Sequence, residues 1–174
     1  AALGRVRTPG PAIRLPDCAC GPEAGAPLLG EHGPEILAAR RPARLAESSG
    51  ALGEAVGAAR DAGLLPLSGM RVANFGWGLA ALMVGQLLSF LGAEVYKIES
   101  SAQLDFQRKV PPFYHGIPHP DRSIQNHACW AGNGSITLNL KQPEAQELAL
   151  QLVAKCDVAL ENFSPGVMQR LNLD

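Results

Sequence analysis

Two glycines and an alanine stand where a backbone can meet a phosphate. In "RVANFGWGLAALMVGQLLSFLGAEVYKIES", residues 71–100, Gly76, Gly78 and Ala81 form G-x-G-x-x-A between a strand pattern and an apolar helix pattern. Glycines at such a turn let the backbone approach a pyrophosphate, and the helix N-terminus favours negative charge. Glu99 ends the next strand about 20 residues on, where an acid would reach a ribose hydroxyl. Trp77 and Leu79 add apolar bulk to the same turn. The motif reads as a dinucleotide cradle, as a cradle for another ligand, or as a tight turn that only packs.

A second candidate is "ENFSPG", Glu161 to Gly166. A strand ends in an acid and an amide, an aromatic follows, and a helix start comes next. In an open parallel sheet, ligands bind at the carboxyl ends of strands. There the Asn162 amide can hydrogen-bond a ligand or merely its own loop, and Phe163 can pack a ring or simply fill the core. His115, His119, His127 and Cys129 contain metal-ligating types. His115 and His119 are i, i+4, but Pro118 and Pro120 argue against a helix that would put them on one face, so no metal site is expected. G-x-S-x-G, H-E-x-x-H and P-loop patterns do not occur.

The elements that must position these residues alternate. Residues 70–75, 94–99, 135–140 and 157–160 read as strands. Residues 79–91, 142–155 and 165–170 read as helices, with Pro143 near N1 and Ser164 as an N-cap. Residues 101–130, with four prolines, read as a long irregular connection. Strands alternating with helices predict a parallel α/β sheet. Before residue 66 the chain lacks Lys and is rich in Ala, Gly, Pro and Arg. There "PAIRL" suggests a short strand, and residues 35–40 and 52–64 suggest short helices.

Composition narrows the class. The chain has 174 residues, 47% hydrophobic, with a net charge of −1. That is enough for one domain with a core. It implies no broad attraction to nucleic acid or anionic membranes. Residues 72–93 carry no charge, but glycines and polar residues interrupt them, so a buried strand and helix fit better than a membrane span. Cys18, Cys20, Cys129 and Cys156 form no disulfide framework, as expected of reduced cytosolic thiols. The chain begins without Met and reads as a fragment.

Taken together, "PLSGMRV", "LGAEVYKIES", "SITLNLKQPEAQEL" and "CDVALENFSPGVMQRLNLD" resemble the head of the family III CoA-transferases, the CaiB/BaiF family, over residues 66–174. "GAPLLGEHGPEILA" and "EAVGAARDAGLL" resemble that family's C-terminal end. Residues 1–65 are therefore expected to be the tail of a preceding copy, and 66–174 the incomplete head of a second, at the junction of a tandem fused protein. Tail and head are expected to share one core. The resemblance implies a Rossmann-like parallel sheet with flanking helices. It implies acyl-CoA and a carboxylic acid as substrates, no permanently bound cofactor, a cytoplasmic location and a homodimeric parent enzyme. By position, it assigns coenzyme A contacts to Leu79, Ala80, Ser100, Leu138, Lys141, Asn162, Phe163 and Arg170. Ser100 stands where the family usually has Arg, and Leu79 where it usually has a polar residue. The family reaction uses an Asp nucleophile that forms an anhydride and then an enzyme thioester. That Asp is expected beyond residue 174, so no catalytic residue is assigned here. The alternatives are a dinucleotide-dependent oxidoreductase domain, and an inert half kept for packing or dimerisation.

Overall fold

The computed structural model describes residues 25–39 and 65–174. Four parallel strands form one sheet: β1 (Arg71–Asn74), β2 (Glu94–Glu99), β3 (Gly134–Thr137) and β4 (Val158–Leu160). Their order is β3-β2-β1-β4. The chain winds outward from β1 through β2 to β3, then returns to the far side of β1. Val72 pairs with Val95 on one side and Val158 on the other. The reversal puts a crevice between the carboxyl ends of β1 and β4, the place where open α/β sheets take ligands.

Side chains alternate across the sheet. One face is apolar along its length. Ala73, Phe75, Ile98, Ile136 and Leu138 pack there with Ala149 and Leu152 of helix α4 (Pro143–Val153) and Ile36 of helix α1 (Gly33–Ala38). The other face lies under helix α2 (Gly78–Phe90). It begins apolar at Val72 and Val95 and turns polar toward the strand ends, at Asn74, Lys97, Glu99 and Ser135, all buried. Helix α2 can lie close because its inward stripe is small: Gly78, Ala81 and Gly85 at helical spacing. A Cβ on Gly85 would come within 2.8 Å of the Asn74 amide nitrogen.

The sequence boundaries need adjustment. Helix α1 starts two residues earlier than expected because Pro34 can occupy its first turn. The third strand stops at Thr137, three residues short of the expected end. Ser164 does not cap the last helix. That helix, α5 (Val167–Arg170), begins after Gly166, whose φ of 80° is left-handed. The long connection is not wholly irregular: it carries three 3₁₀ turns and helix α3 (Ile124–Cys129). Ser123 caps α3 by accepting from the Asn126 N–H, a Ser-x-x-Asn signal the proline-rich composition obscured. The expected strand at "PAIRL" and helix at 52–64 lie outside the described residues.

Residues 25–39 pack on the β3 side of the sheet. The His32 N–H donates to the Ser135 carbonyl at 2.9 Å, and the Gly30 N–H to Ser135 Oγ at 2.9 Å. Lys155 Nζ donates to the Leu37 carbonyl at 2.7 Å.

Candidate functional site

The glycine turn between β1 and α2 spends its N–H groups internally. Gly76 N–H donates to Asn74 Oδ1 at 2.9 Å, Trp77 N–H to Asn162 Oδ1 at 2.7 Å, and Gly78 N–H to Asp105 Oδ2 at 3.1 Å. Asp105, 2% exposed, thus occupies the helix N-terminus where a pyrophosphate would sit. The space a phosphate would need above Gly78 is filled by Phe106, since a Cβ on Gly78 would lie 2.6 Å from its ring. Glu99 is equally committed. Its carboxylate receives Arg108 Nε at 2.6 Å, an Arg108 terminal nitrogen at 2.7 Å and Ser135 Oγ at 3.0 Å. Both subsites of a dinucleotide cradle are filled by the chain's own connection, so the motif does not bind a dinucleotide in that way.

Charge is balanced within this buried layer. Lys97, 1% exposed, donates to the Gly76 carbonyl, lies 3.9 Å from Asp105 and sits 5.1 Å from the centre of the Trp130 ring. Arg108 reaches from Glu99 to Asp121 Oδ1 at 2.9 Å, and Asp121 also accepts from the Leu29 N–H. Asn74, Lys97, Asp105 and Arg108 are not among the residues that the sequence singles out. A lysine between Tyr96 and Ile98 in the middle of a strand is the one readable signal, because a buried ammonium needs partners.

Burial pushes the Lys97 ammonium down from 10.5 to about 8; Glu99 and Asp105 oppose that shift and Arg108 adds to it. Below pH 8 the group is charged in both the folded and unfolded chain, and its burial cost is present in full. Between about 8 and 10.5 the unfolded chain keeps a proton the folded one has released, so stability rises with pH. Relative to Lys97→Met, the wild-type chain should gain up to about 3 kcal/mol between pH 7 and 10.5. Urea unfolding across that range measures it; a difference that stays flat or falls rejects the assignment.

A cavity of about 400 Å³ opens at the strand ends. Its lining runs from Phe75 and Trp77 after β1, through Ser100 after β2, to Leu138 and Lys141 after β3 and Phe163 after β4. Its volume lies in the range of small-molecule sites. Of the eight positions singled out in the sequence, Ser100, Leu138, Lys141 and Phe163 meet here. Asn162 adjoins the cavity through Trp77: besides accepting from its N–H, its amide donates to the Trp77 carbonyl at 2.8 Å. Leu79, Ala80 and Arg170 are exposed and do not line it. Among the described residues, no cluster of three or more His, Cys, Asp or Glu side chains is placed to hold a metal. No helix among them is long and apolar enough to cross a membrane.

A four-stranded parallel sheet with flanking helices and a crevice at its strand ends defines an α/β protein of the open-sheet type. Within that class, the chain belongs to the CoA-transferase family III, whose sequence profile matches residues 67–174. It is 38% identical over 109 residues to the succinyl-CoA–L-malate CoA-transferase alpha subunit of Chloroflexus aurantiacus, covering 63% of this chain and 25% of that one. It is 35% identical over 108 residues to the formyl-CoA:oxalate CoA-transferase of Bradyrhizobium diazoefficiens, covering 60% and 24%. The CoA-transferase/lyase DddD of a Marinomonas strain is 36% identical over 110 residues, covering 63% and 11%. A CaiB/BaiF family protein from Brucella suis superimposes with a TM-score of 0.56 at 40% identity, covering 63% of this chain and 29% of that one. The chain therefore spans a quarter or less of the length of these curated relatives.

Proposed function

We propose that this chain is the coenzyme A-binding part of an acyl-CoA:carboxylate CoA-transferase. The observation that carries the reading is the cavity at the strand ends: Leu138 and Phe163 give it apolar wall, and Lys141 gives it a cation for a phosphate. Similarity to enzymes that move CoA between carboxylic acids supports the same ligand. In this proposal Leu79, Ala80 and Arg170 act at the rim, and Ser100 offers a hydroxyl where the family usually has a guanidinium. The catalytic carboxylate is an Asp outside residues 1–174. It attacks the acyl-CoA carbonyl to give an anhydride and release CoA thiolate. The thiolate attacks the Asp-side carbonyl of that anhydride, giving an enzyme thioester and releasing the donor acid; the acceptor carboxylate then attacks the thioester to form a second anhydride and free the thiolate, which takes the acceptor acyl group as the new acyl-CoA and restores the Asp carboxylate.

The tandem reading belongs to the same proposal. The profile match begins at residue 67, close to the expected head boundary, and longer relatives carry the same stretch. The parent enzyme is proposed to be a cytoplasmic homodimer acting on acyl-CoA and a free acid, with no permanently bound cofactor.

Lys141→Ala tests the site. Lys141 is exposed at the end of the β3 connection, so its contact with a phosphate is charge-assisted but screened by salt. Removing it should weaken CoA binding about ten- to hundredfold at low salt, and less at high salt. Calorimetric titration of both proteins with CoA and NAD measures this. Equal CoA affinity removes Lys141 from the site; NAD bound more tightly than CoA overturns the reading.

A further inference from the structure

Behind the glycine turn, six buried residues close into a ring. Asp105 Oδ1 accepts from the Gln107 N–H at 3.0 Å, and Asp105 Oδ2 lies 3.9 Å from Lys97 Nζ. Lys97 Nζ stands 5.1 Å from the centre of the Trp130 ring. The Trp130 N–H donates to the Asn126 carbonyl at 3.0 Å, and the Asn126 N–H to Ser123 Oγ at 3.4 Å. Ser123 Oγ donates to the Gln107 carbonyl at 2.6 Å, which completes the circuit. Yet four polar atoms of these residues have no hydrogen-bond partner among the described residues: Gln107 Oε1, Asn126 Oδ1, Asn126 Nδ2 and the Trp130 indole nitrogen. Lys97 adds to the deficit. An ammonium has three N–H groups to place, and this one donates to the Gly76 carbonyl alone. Unpaired polar groups cost stability when buried, and native interiors leave few of them.

We propose that this ring is a bound-water site, with about two molecules serving the groups the protein leaves unpaired. Waters there accept from Asn126 Nδ2, the Trp130 indole N–H and Lys97, and donate to Gln107 Oε1 and Asn126 Oδ1. The mixture of donors and acceptors fixes the ligand class. An anion would suit the donors, but would face the Asp105 carboxylate and two carbonyl oxygens. A metal ion would suit the oxygens, but would face the Lys97 ammonium. Water both donates and accepts, and a buried water makes about three hydrogen bonds. The site also has a place in the fold. Asp105 accepts from the Gly78 N–H and Lys97 donates to the Gly76 carbonyl, so the same ring carries the turn between β1 and α2. Bound water lets the ring hold two charged groups away from solvent without leaving their polar neighbours unpaired.

The test uses the 174-residue chain and two measurements. Thermal unfolding of Asn126→Leu gives opposite signs for the two cases. Leu keeps the branching of Asn but not its polar atoms. If nothing solvates the carboxamide, its removal should raise the melting temperature. If water does, Leu strands the waters' other partners, and the melting temperature should fall by about 3–6 °C. Gln107→Met should show a similar fall. The double variant should lose less than the sum of the two, because both changes surrender the same waters. A crystal structure at a resolution that orders water should then show density within hydrogen-bond distance of Gln107 Oε1, the Asn126 carboxamide and the Trp130 indole nitrogen. If a variant fails to fold by circular dichroism, the wild-type crystal structure decides the matter. A melting temperature that rises in either single variant overturns the proposal, and losses that add in the double variant overturn the shared site. Density that refines as an ion, or side chains that pair directly with one another, overturns it as well.

Discussion

Arg108→Met should lower the unfolding free energy by about 3–5 kcal/mol. Arg108 is 1% exposed and is shared between Glu99, at 2.6 and 2.7 Å, and Asp121, at 2.9 Å. Removing the guanidinium leaves the buried Glu99 carboxylate with Ser135 Oγ as its remaining hydrogen-bond partner and the Lys97 ammonium as the nearby cation. The loss is larger than an exposed pair would give, because an unpaired charge in a dry interior carries its desolvation cost uncompensated. Asp121 also holds the Leu29 N–H, so the same change should loosen residues 25–39 from the sheet. Urea unfolding gives the free energy, and a melting temperature lower by roughly 10 °C should accompany it. The double variant Glu99→Leu, Arg108→Met should recover part of the loss, since it removes the stranded charge as well. A single-variant loss below about 1 kcal/mol would contradict the buried pairing shown here.

Gly76→Ala should be nearly as damaging, by roughly 3 kcal/mol. The new methyl would lie 2.3 Å from the Ala81 Cβ, which is fixed to its helix and cannot rotate away. Helix α2 would have to withdraw from β1, straining the Asn74 amide bonds to Gly76 N–H and the Ala81 carbonyl. The Asn162–Trp77 pairing would shift with it, so CoA affinity should fall along with stability. Gly25→Ala is the control: none of the described residues lies within 4 Å of its Cβ position, and its effect should stay within about 0.5 kcal/mol. Equilibrium unfolding of the two variants separates the cases; a Gly76→Ala protein as stable as the control refutes the close-packing argument.

The part of the fold legible in the sequence was the part governed by local rules. Apolar runs of strand length, Pro143 at a helix start and the alternation of strand and helix followed from residue type and period. Helix α3 escaped because its six residues sit among prolines and histidines, too short to show a period. The site was legible in halves. Lys141 and Phe163 were identifiable by their place after strands, and the cavity receives both. The pairing of Asn162 with Trp77 was not, because the two residues lie 85 positions apart in the chain.

By itself, the sequence determined the α/β class, the order of elements and the family, since these depend on composition, periodicity and motifs read along the chain. Its residue pattern left the G-x-G-x-x-A turn open among several ligands, and the family resemblance turned the reading from a dinucleotide to coenzyme A. Tertiary structure added the physical reason against a dinucleotide cradle, because the groups that fill it come from elsewhere. Asp105 fills the helix N-terminus, Phe106 covers Gly78, and Arg108 takes both oxygens of Glu99. A glycine turn and an acid define a phosphate and ribose site only while their N–H groups and oxygens are free. Whether they are free depends on which distant side chains the fold brings within 3 Å, and no local pattern encodes that distance.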